Sequence, residues 1–503
     1  MPSEEQREKL FSGFPPVGAG VWEEKIREDL KGADPDKLFW HMLDGISVKP
    51  YYLREDIRSL PFINCSAGEY PFLRGNRSKN NDWEISQDII IDSFHEANRK
   101  AIYLLEKGVI IPRFIPGKKI PAKINQLEEL VTGIDLQSVP VMFSLPANDF
   151  SILELLYELA QKKSFDPEKI KGAVNLDPLG NLFRTGNYFE NEEKDMLVVK
   201  NAISFGIKHL PSFRILAINP DLFHNAGATI SQELGFTIAT AVEYMSALTE
   251  LGLTASDISA CTSFHFATGS DFFPEIAKLR AARLMWAVIT DTFSPGKAES
   301  CKMRIDCSGS SWSQTTRGKY NNLLRATTQA MSAVLGGADS LLVLPFDYAS
   351  GNGDDFSERL ARNIQLILRE EAYFNKVVDP AGGSYYIENL TNLLSEKAWS
   401  LFLDIEKAGG ILKAFSKGII QDMIEKKAHE KFTRIENNSD KIVGVNCFPD
   451  PDEKQSRDPR TREKEAFPAG KIIAKPLRKL RATLNYEQQT INNDLPDKTP
   501  QGK

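Results

Sequence analysis

KYNNLLRATTQAMSAVLGGADSLLVLPFD, residues 319–347, contains one complete helix–turn–strand step. Leu323, Leu324, Thr327, Met331, Val334 and Leu335 recur at near-helical spacing, and Gly336-Gly337 stops the helix. The run from Ser340 to Pro345 is short, apolar and bounded by turn signals, which predicts a strand buried on both faces. A helix feeding such a strand points to a parallel sheet covered by helices.

The same alternation extends in both directions. Downstream, 358–371 (ERLARNIQLILREE) reads as a helix, Lys376–Val378 as a strand and Asp379-Pro-Ala-Gly-Gly as a loop before Ser384-Tyr-Tyr-Ile-Glu388. Upstream, 271–286 (DFFPEIAKLRAARLMW) places Phe272, Ile276, Leu279, Ala282, Leu284 and Met285 near helical spacing, with Lys278, Arg280 and Arg283 mostly between them. Further strands are predicted at 109–115, 140–145, 213–219, 263–268 and 302–308. Helices are predicted over Asp88–Lys107, closed by Gly108, over Ile152–Lys162 and over 228–251. Roughly eight strands, each followed by a helix, make a closed (β/α)8 TIM-type barrel the economical reading. An open doubly wound sheet is the alternative, but the glycine-rich first turn of a dinucleotide site is absent.

Residues 1–70 read as an extended and helical arm. Trp22, Ile26 and Leu30 form one stripe capped by Gly32, and a segment this short cannot bury Trp22, Phe39, Trp40, Tyr51 and Tyr52 by itself. The arm must lie on the rest of the chain or on a partner. The barrel is expected over 71–447. Residues 448–503 are rich in Pro, Asp, Lys, Arg, Asn and Gln and read as a largely unstructured polar tail. Within it, basic 471–481 interleaves Ile472, Ile473, Leu477 and Leu480, as in a solvated or chain-docked strap, with an acidic partner surface as the alternative.

Bulk properties exclude several classes. With 42% hydrophobic residues in 503 a sizeable core is possible, and a net charge of −6 gives no support to nucleic-acid binding. Cys65, Cys261, Cys301, Cys307 and Cys447 form no CxxC pair, so neither a disulfide framework nor a zinc site is expected. The acidic start MPSEEQREKL has neither a secretory nor a transit character, and a cytoplasmic location is expected. Cys307 has no cationic sequence neighbour to activate it and reads as inert. His265, on a predicted strand, reads as a satisfied core residue, and Arg280 and Arg283 as structural ion-pair partners in the outer helical layer rather than phosphate contacts.

Taken together, 271–286, 319–347, 358–371 and 379–388, with DLKGADPDKLFW, GISVKPYY and EYPFLRG (69–75) upstream, closely resemble the methylmalonyl-CoA mutase family, adenosylcobalamin-dependent acyl-CoA mutases. The likeness runs from Trp22 to about 445, and the N-terminal phrases look most like the small (beta) subunit of heterodimeric bacterial members. The resemblance implies a (β/α)8 barrel followed by a flavodoxin-like cobalamin-binding domain, which this chain is expected to lack. It also implies a barrel axis lined by small polar residues to admit pantetheine, and a cofactor that performs the radical step in a dry site.

The resemblance breaks at the positions that carry chemistry. The family's Trp-x-Ile-Arg-Gln-Tyr phrase is here Trp83-Glu-Ile-Ser-Gln-Asp88, so Ser86 replaces Arg and Asp88 replaces Tyr. Its Gly-Tyr-His phrase is here Pro220-Asp221-Leu222, before Ala226-Gly227-Ala228, so the thioester-binding His is Leu222. Its His-Cys-Gln-Thr-Ser-Gly-Trp-Ser phrase begins here Asp306-Cys307-Ser308, and Ser-Leu-His-Thr-Asn is Ser340-Leu-Leu-Val-Leu. Leucine cannot donate to a carbonyl, and an anionic Asp88 opposes an enolate-like charge. The cobalt-ligand motif Asp-x-His-x-x-Gly has only a mis-spaced echo in Asp221-Leu-Phe-His224-Asn-Ala-Gly227, which is not expected to bind cobalt.

The resemblance therefore implies a non-catalytic small subunit in which Asp88, Asp221, Leu222, Asp306 and Ser308 are degenerate positions. No cofactor or metal is expected on this chain. Adenosylcobalamin is expected on a catalytic large subunit that interconverts (R)-methylmalonyl-CoA and succinyl-CoA, and a mutase-associated GTPase chaperone is a further possible partner. Two other assignments stay open: the barrel subunit of a different acyl-CoA mutase served by a separate cobalamin protein, and a non-catalytic barrel that binds acyl-CoA or the GTPase.

Overall fold

A computed structural model describes residues 12–14, 17–145, 148–351, 353–450, 452–453 and 472–493. Strands β1 (Trp40–His41) and β2 (Ser47–Val48) form a small antiparallel ribbon. Eight parallel strands then close a barrel: β3 (Glu84–Ile91), β4 (Ile111–Pro116), β5 (Val141–Phe143), β6 (Gly172–Leu176), β7 (Phe213–Ile218), β8 (Thr262–Thr268), β9 (Ile305–Gly309) and β10 (Ser340–Leu342). Each strand pairs with its sequence neighbour, and β10 closes the ring on β3 with Ser340 opposite Glu84. Successive parallel strands joined by helices can close in this way because each crossover packs a helix on the outer face.

Most expected elements form where their periodicity places them. Helices span Ser151–Lys163, Ile230–Glu250, Phe272–Phe293, Asn321–Leu335 and Asp355–Glu370. Three expectations need correction. The helix expected from Asp88 begins only at Phe94, because Glu84–Ile91 is a strand. Ile85, Ile89 and Ile91 alternate onto the buried outer face while Glu84, Ser86 and Asp88 turn inward, so a run of three isoleucines that resembled a helix start belongs to period two. Lys376–Val378 is not a strand but a surface turn, with Val377 59% exposed. The missing strand is Gly172–Leu176, too short and too punctuated by Gly172 and Asn175 to stand out.

The phrases that define the resemblance hold one another. Arg280 pairs with Asp379 and, at 2.8 Å, with Glu388, while Arg74 pairs with Glu388 at 3.3 Å. Arg283 donates to the Gly336 carbonyl at 2.9 Å and to that of Gly337. Both arginines are fully buried, as structural partners of the outer layer. From 358–371, Gln365 accepts from Trp83 Nε1 at 3.1 Å, and Arg362 donates to Gln87 at 3.0 Å. Removing one partner of such a buried pair strands a charge at about 3–5 kcal/mol, so these residues specify the scaffold.

The helix Ala19–Asp29 of the arm buries none of its residues; Trp22 stacks on Tyr51 at 4.5 Å and stays 46% exposed. Within the polar tail, residues 472–493 follow a defined path and end in the helix Leu484–Asn493. Ala474 and Ala482 are buried there and Leu477 and Leu480 pack against the chain's cores, whereas Ile472 and Ile473 stay exposed, so the basic stretch docks on its own chain through only two of its four interleaved apolar residues. Lys471 lies outside the described residues. No described helix is long and apolar enough to cross a membrane, and all five cysteines are free.

Candidate functional site

In parallel barrels the strand carboxyl ends carry the chemistry, because the βα loops converge there. Here that end encloses a polar cavity of about 220 Å³. Asp88 of β3, Arg113 of β4, Asn175 of β6, His265 of β8 and Asp306 and Ser308 of β9 line it, with Asp221 and Lys479 above. Four of the positions expected to be degenerate thus meet in one space: Asp88, Asp221, Asp306 and Ser308. Leu222 does not line the cavity; it packs against the main apolar core. Ser86 is buried and donates to the Leu341 carbonyl at 2.9 Å.

The strand register explains the grouping. Asp88 lies opposite Arg113, and Arg113 Nε is 3.2 Å from the Asp88 carboxylate. Asp306 lies opposite His265 on one side and Ser340 on the other, and Ser340 lies opposite Glu84. Neighbours in parallel register point the same way, so Glu84, Ser340, Asp306 and His265 form one layer across the barrel.

Arg304 ties that layer together. Its Nε donates to Asp306 at 3.1 Å, its guanidinium also pairs with Glu84, and Ser340 Oγ donates to Asp306 at 2.5 Å. Burial disfavours the Asp306 carboxylate, but Arg304, His265 and Ser340 outweigh it and hold Asp306 down to about 2. Burial likewise opposes the Arg304 charge and is outweighed by Asp306 and Glu84, which raise it. Arg214 donates to the carbonyls of Ala260 and Thr262, and burial followed by repulsion from Arg304 lowers its basicity. On the opposite side Ile111, Met142 and Ala173 form a separate apolar cluster in matching register. Ion-paired Arg304 and carbonyl-bound Arg214 on one side and this cluster on the other face the barrel interior below the cavity.

The remaining candidates take structural roles. Burial pushes His265 down to about 4, so the imidazole is neutral at physiological pH, 3.2 Å from Ser263 Oγ and 3.8 Å from Asp306. His224 is buried, with Nδ1 3.2 Å from Glu233 and Nε2 2.7 Å from Ser310 Oγ. Burial raises the Cys307 thiol, which favours its unreactive form. Burial also pushes Asp221 up to about 6.

Sequence reasoning missed Arg113, Arg214 and Arg304. Each interrupts an apolar strand at an inward position (Ile-Pro-Arg113-Phe, Phe-Arg214-Ile, Met-Arg304-Ile), and that shared parity was the available signal. It also missed the fully buried Lys278, which pairs with Glu233 at 3.0 Å and Glu275 at 2.6 Å. Lys479 could not be foreseen, since its place depends on the path of the tail.

His224 does not fit the part of a cobalt ligand. Both nitrogens of His224, in the mis-spaced ligand motif, already have partners. The cavity at the strand carboxyl ends is about 220 Å³, and His224 lines a separate space of about 530 Å³ beside Trp40, Asp271 and Lys431.

The family model described as methylmalonyl-CoA mutase matches residues 120–494. A methylmalonyl-CoA mutase small subunit from Porphyromonas gingivalis is 39% identical over 448 residues, covering 88% of this chain and 72% of that protein. A methylmalonyl-CoA mutase from Rhizobium meliloti is 35% identical, and a large subunit from Streptomyces virginiae 31%; the chain spans 63% of the length of each. With a closed barrel of the expected order and this extent of similarity, the chain belongs to the methylmalonyl-CoA mutase family.

Proposed function

We propose that this chain is the non-catalytic small subunit of a methylmalonyl-CoA mutase. It supports a catalytic large subunit that carries adenosylcobalamin and interconverts (R)-methylmalonyl-CoA and succinyl-CoA. The observation that carries this reading is the Glu84–Arg304–Asp306 bridge on the inner wall of the barrel, spanning β9, β10 and β3. A pantetheine arm needs an open tube there, and moving Arg304 aside to widen it would leave the buried Asp306 carboxylate without that partner. The positions expected to be degenerate support the same reading: Asp88 is engaged with Arg113, and Leu222, half-buried, packs against the apolar core. Removing several orienting groups together removes both positioning and electrostatic stabilisation of a transition state. The exposed apolar side chains of the arm, among them Val21, Trp22 and Trp40, suit it to pack across the subunit interface.

The test is reconstitution. Purified alone with adenosylcobalamin, the chain shows no mutase turnover; co-expressed with the large subunit, it co-purifies as a heterodimer that is active. Turnover by the isolated chain would overturn the proposal.

A further inference from the structure

We propose that residues 472–487 are an intramolecular plug that seals the carboxyl-end mouth of the barrel against solvent and against any second protein domain. The path of the segment carries the inference. Ile473 and Leu477 donate their backbone N–H groups to the carbonyls of Gly186, at 2.9 Å, and Phe183, at 2.7 Å, beyond β6. Leu480 donates to Asn225 beyond β7 at 2.7 Å, and Ala482 to Trp312 beyond β9 at 2.8 Å. Lys479 Nζ donates to the Tyr348 hydroxyl beyond β10 at 3.0 Å and lines the cavity below. One short stretch thus crosses the loops that follow four of the barrel strands, where barrel enzymes admit substrate.

The plug is built into the fold. Arg481 and Glu487 pair at 2.8 Å with both side chains buried, and the Glu487 carboxylate also accepts from the Thr316 backbone at 3.0 Å. Thr483 Oγ1 donates to the same carboxylate at 2.9 Å. Outside the mouth, Gln421 donates to the Lys475 carbonyl at 2.7 Å. Gly186 has φ +77°, and the Ala474 carbonyl oxygen occupies the space a Cβ would need, so the strap approaches the barrel loop as closely as backbone permits. Side chains buried on both sides of Lys479 mean that the strap cannot lift at one point without losing its neighbours.

The test uses Ser308→Cys as a reporter thiol on the cavity wall, in the full chain, with alkylation at 308 followed by peptide mass mapping. With the strap in place the reporter reacts slowly. Ending the chain after residue 471 is expected to accelerate its labelling at least tenfold. Gly186→Ala loosens the same contact without deleting any residue, is expected to accelerate labelling severalfold, and decides the matter where the shortened chain fails to fold. Equal rates in the intact chain and in the folded variant would overturn the proposal.

Discussion

The charged bridge on the inner wall of the barrel predicts a large and pH-dependent cost for Arg304→Met. At 3.1 Å and an effective dielectric of about 20, a single Arg304–Asp306 pair is worth about 5 kcal/mol before desolvation. Truncating one partner of such a pair typically costs about 3–5 kcal/mol, because the other charge stays buried. Asp306 gives an independent figure. Lowering it from its ordinary value to about 2 corresponds to roughly 2–3 kcal/mol of stability above pH 4, lost as pH falls through about 2. Glu84 is a third exposed on its side chain and contributes less.

Without Arg304 the burial of Asp306 is opposed only by His265, Ser340 and the more distant Arg214, so its folded-state value moves above the ordinary carboxylate range. The sign of the pH dependence at this group then reverses: stability falls as pH rises from about 4 toward neutrality. Urea unfolding at pH 5 and pH 8 reads this directly. Arg304→Met is expected to lose about 3–5 kcal/mol at pH 8 and less at pH 5. In Arg304→Met/Asp306→Asn the difference between the two pH values should shrink to that of the unsubstituted chain. A loss under about 1 kcal/mol at pH 8, or a pH slope that persists in the double variant, would refute the reasoning.

Other consequences follow from the same groups. Burial raises Asp221 to about 6, so the folded chain binds a proton more tightly than the unfolded one and stability falls as pH rises through that range; Asp221→Asn should stabilise by up to about 3 kcal/mol at pH 8 and have little effect at pH 4, measured by urea midpoints. Arg280→Met leaves Asp379 and Glu388 buried and unpaired and should cost about 3–5 kcal/mol, measured by urea unfolding, with recovery when Glu388→Gln is added.

Much of the outer layer was legible from periodicity alone. Asn321–Leu335 and Phe272–Phe293 carry apolar residues at helical spacing, and Thr262–Thr268 reads as a strand because its apolar residues alternate. Glu84–Ile91 was not legible, because Asp88-Ile-Ile-Ile satisfies a helical start as well as it satisfies a strand buried on one side. The positions where the chain departs from the family phrases were singled out by resemblance. Their grouping was not, since Asp88 and Asp306 are far apart in the chain and meet only when β10 closes the barrel between β9 and β3.

Sequence by itself therefore determined the class of fold and the family phrases, because each is written in local pattern or residue identity. Only the tertiary structure decided what surrounds the barrel interior and its mouth. Arg304 bridges Glu84 and Asp306, and residues 472–487 cross the mouth, through contacts between strands and loops remote in sequence. Such contacts depend on the inward parity of each strand and on the closure of the ring, neither of which a single segment encodes.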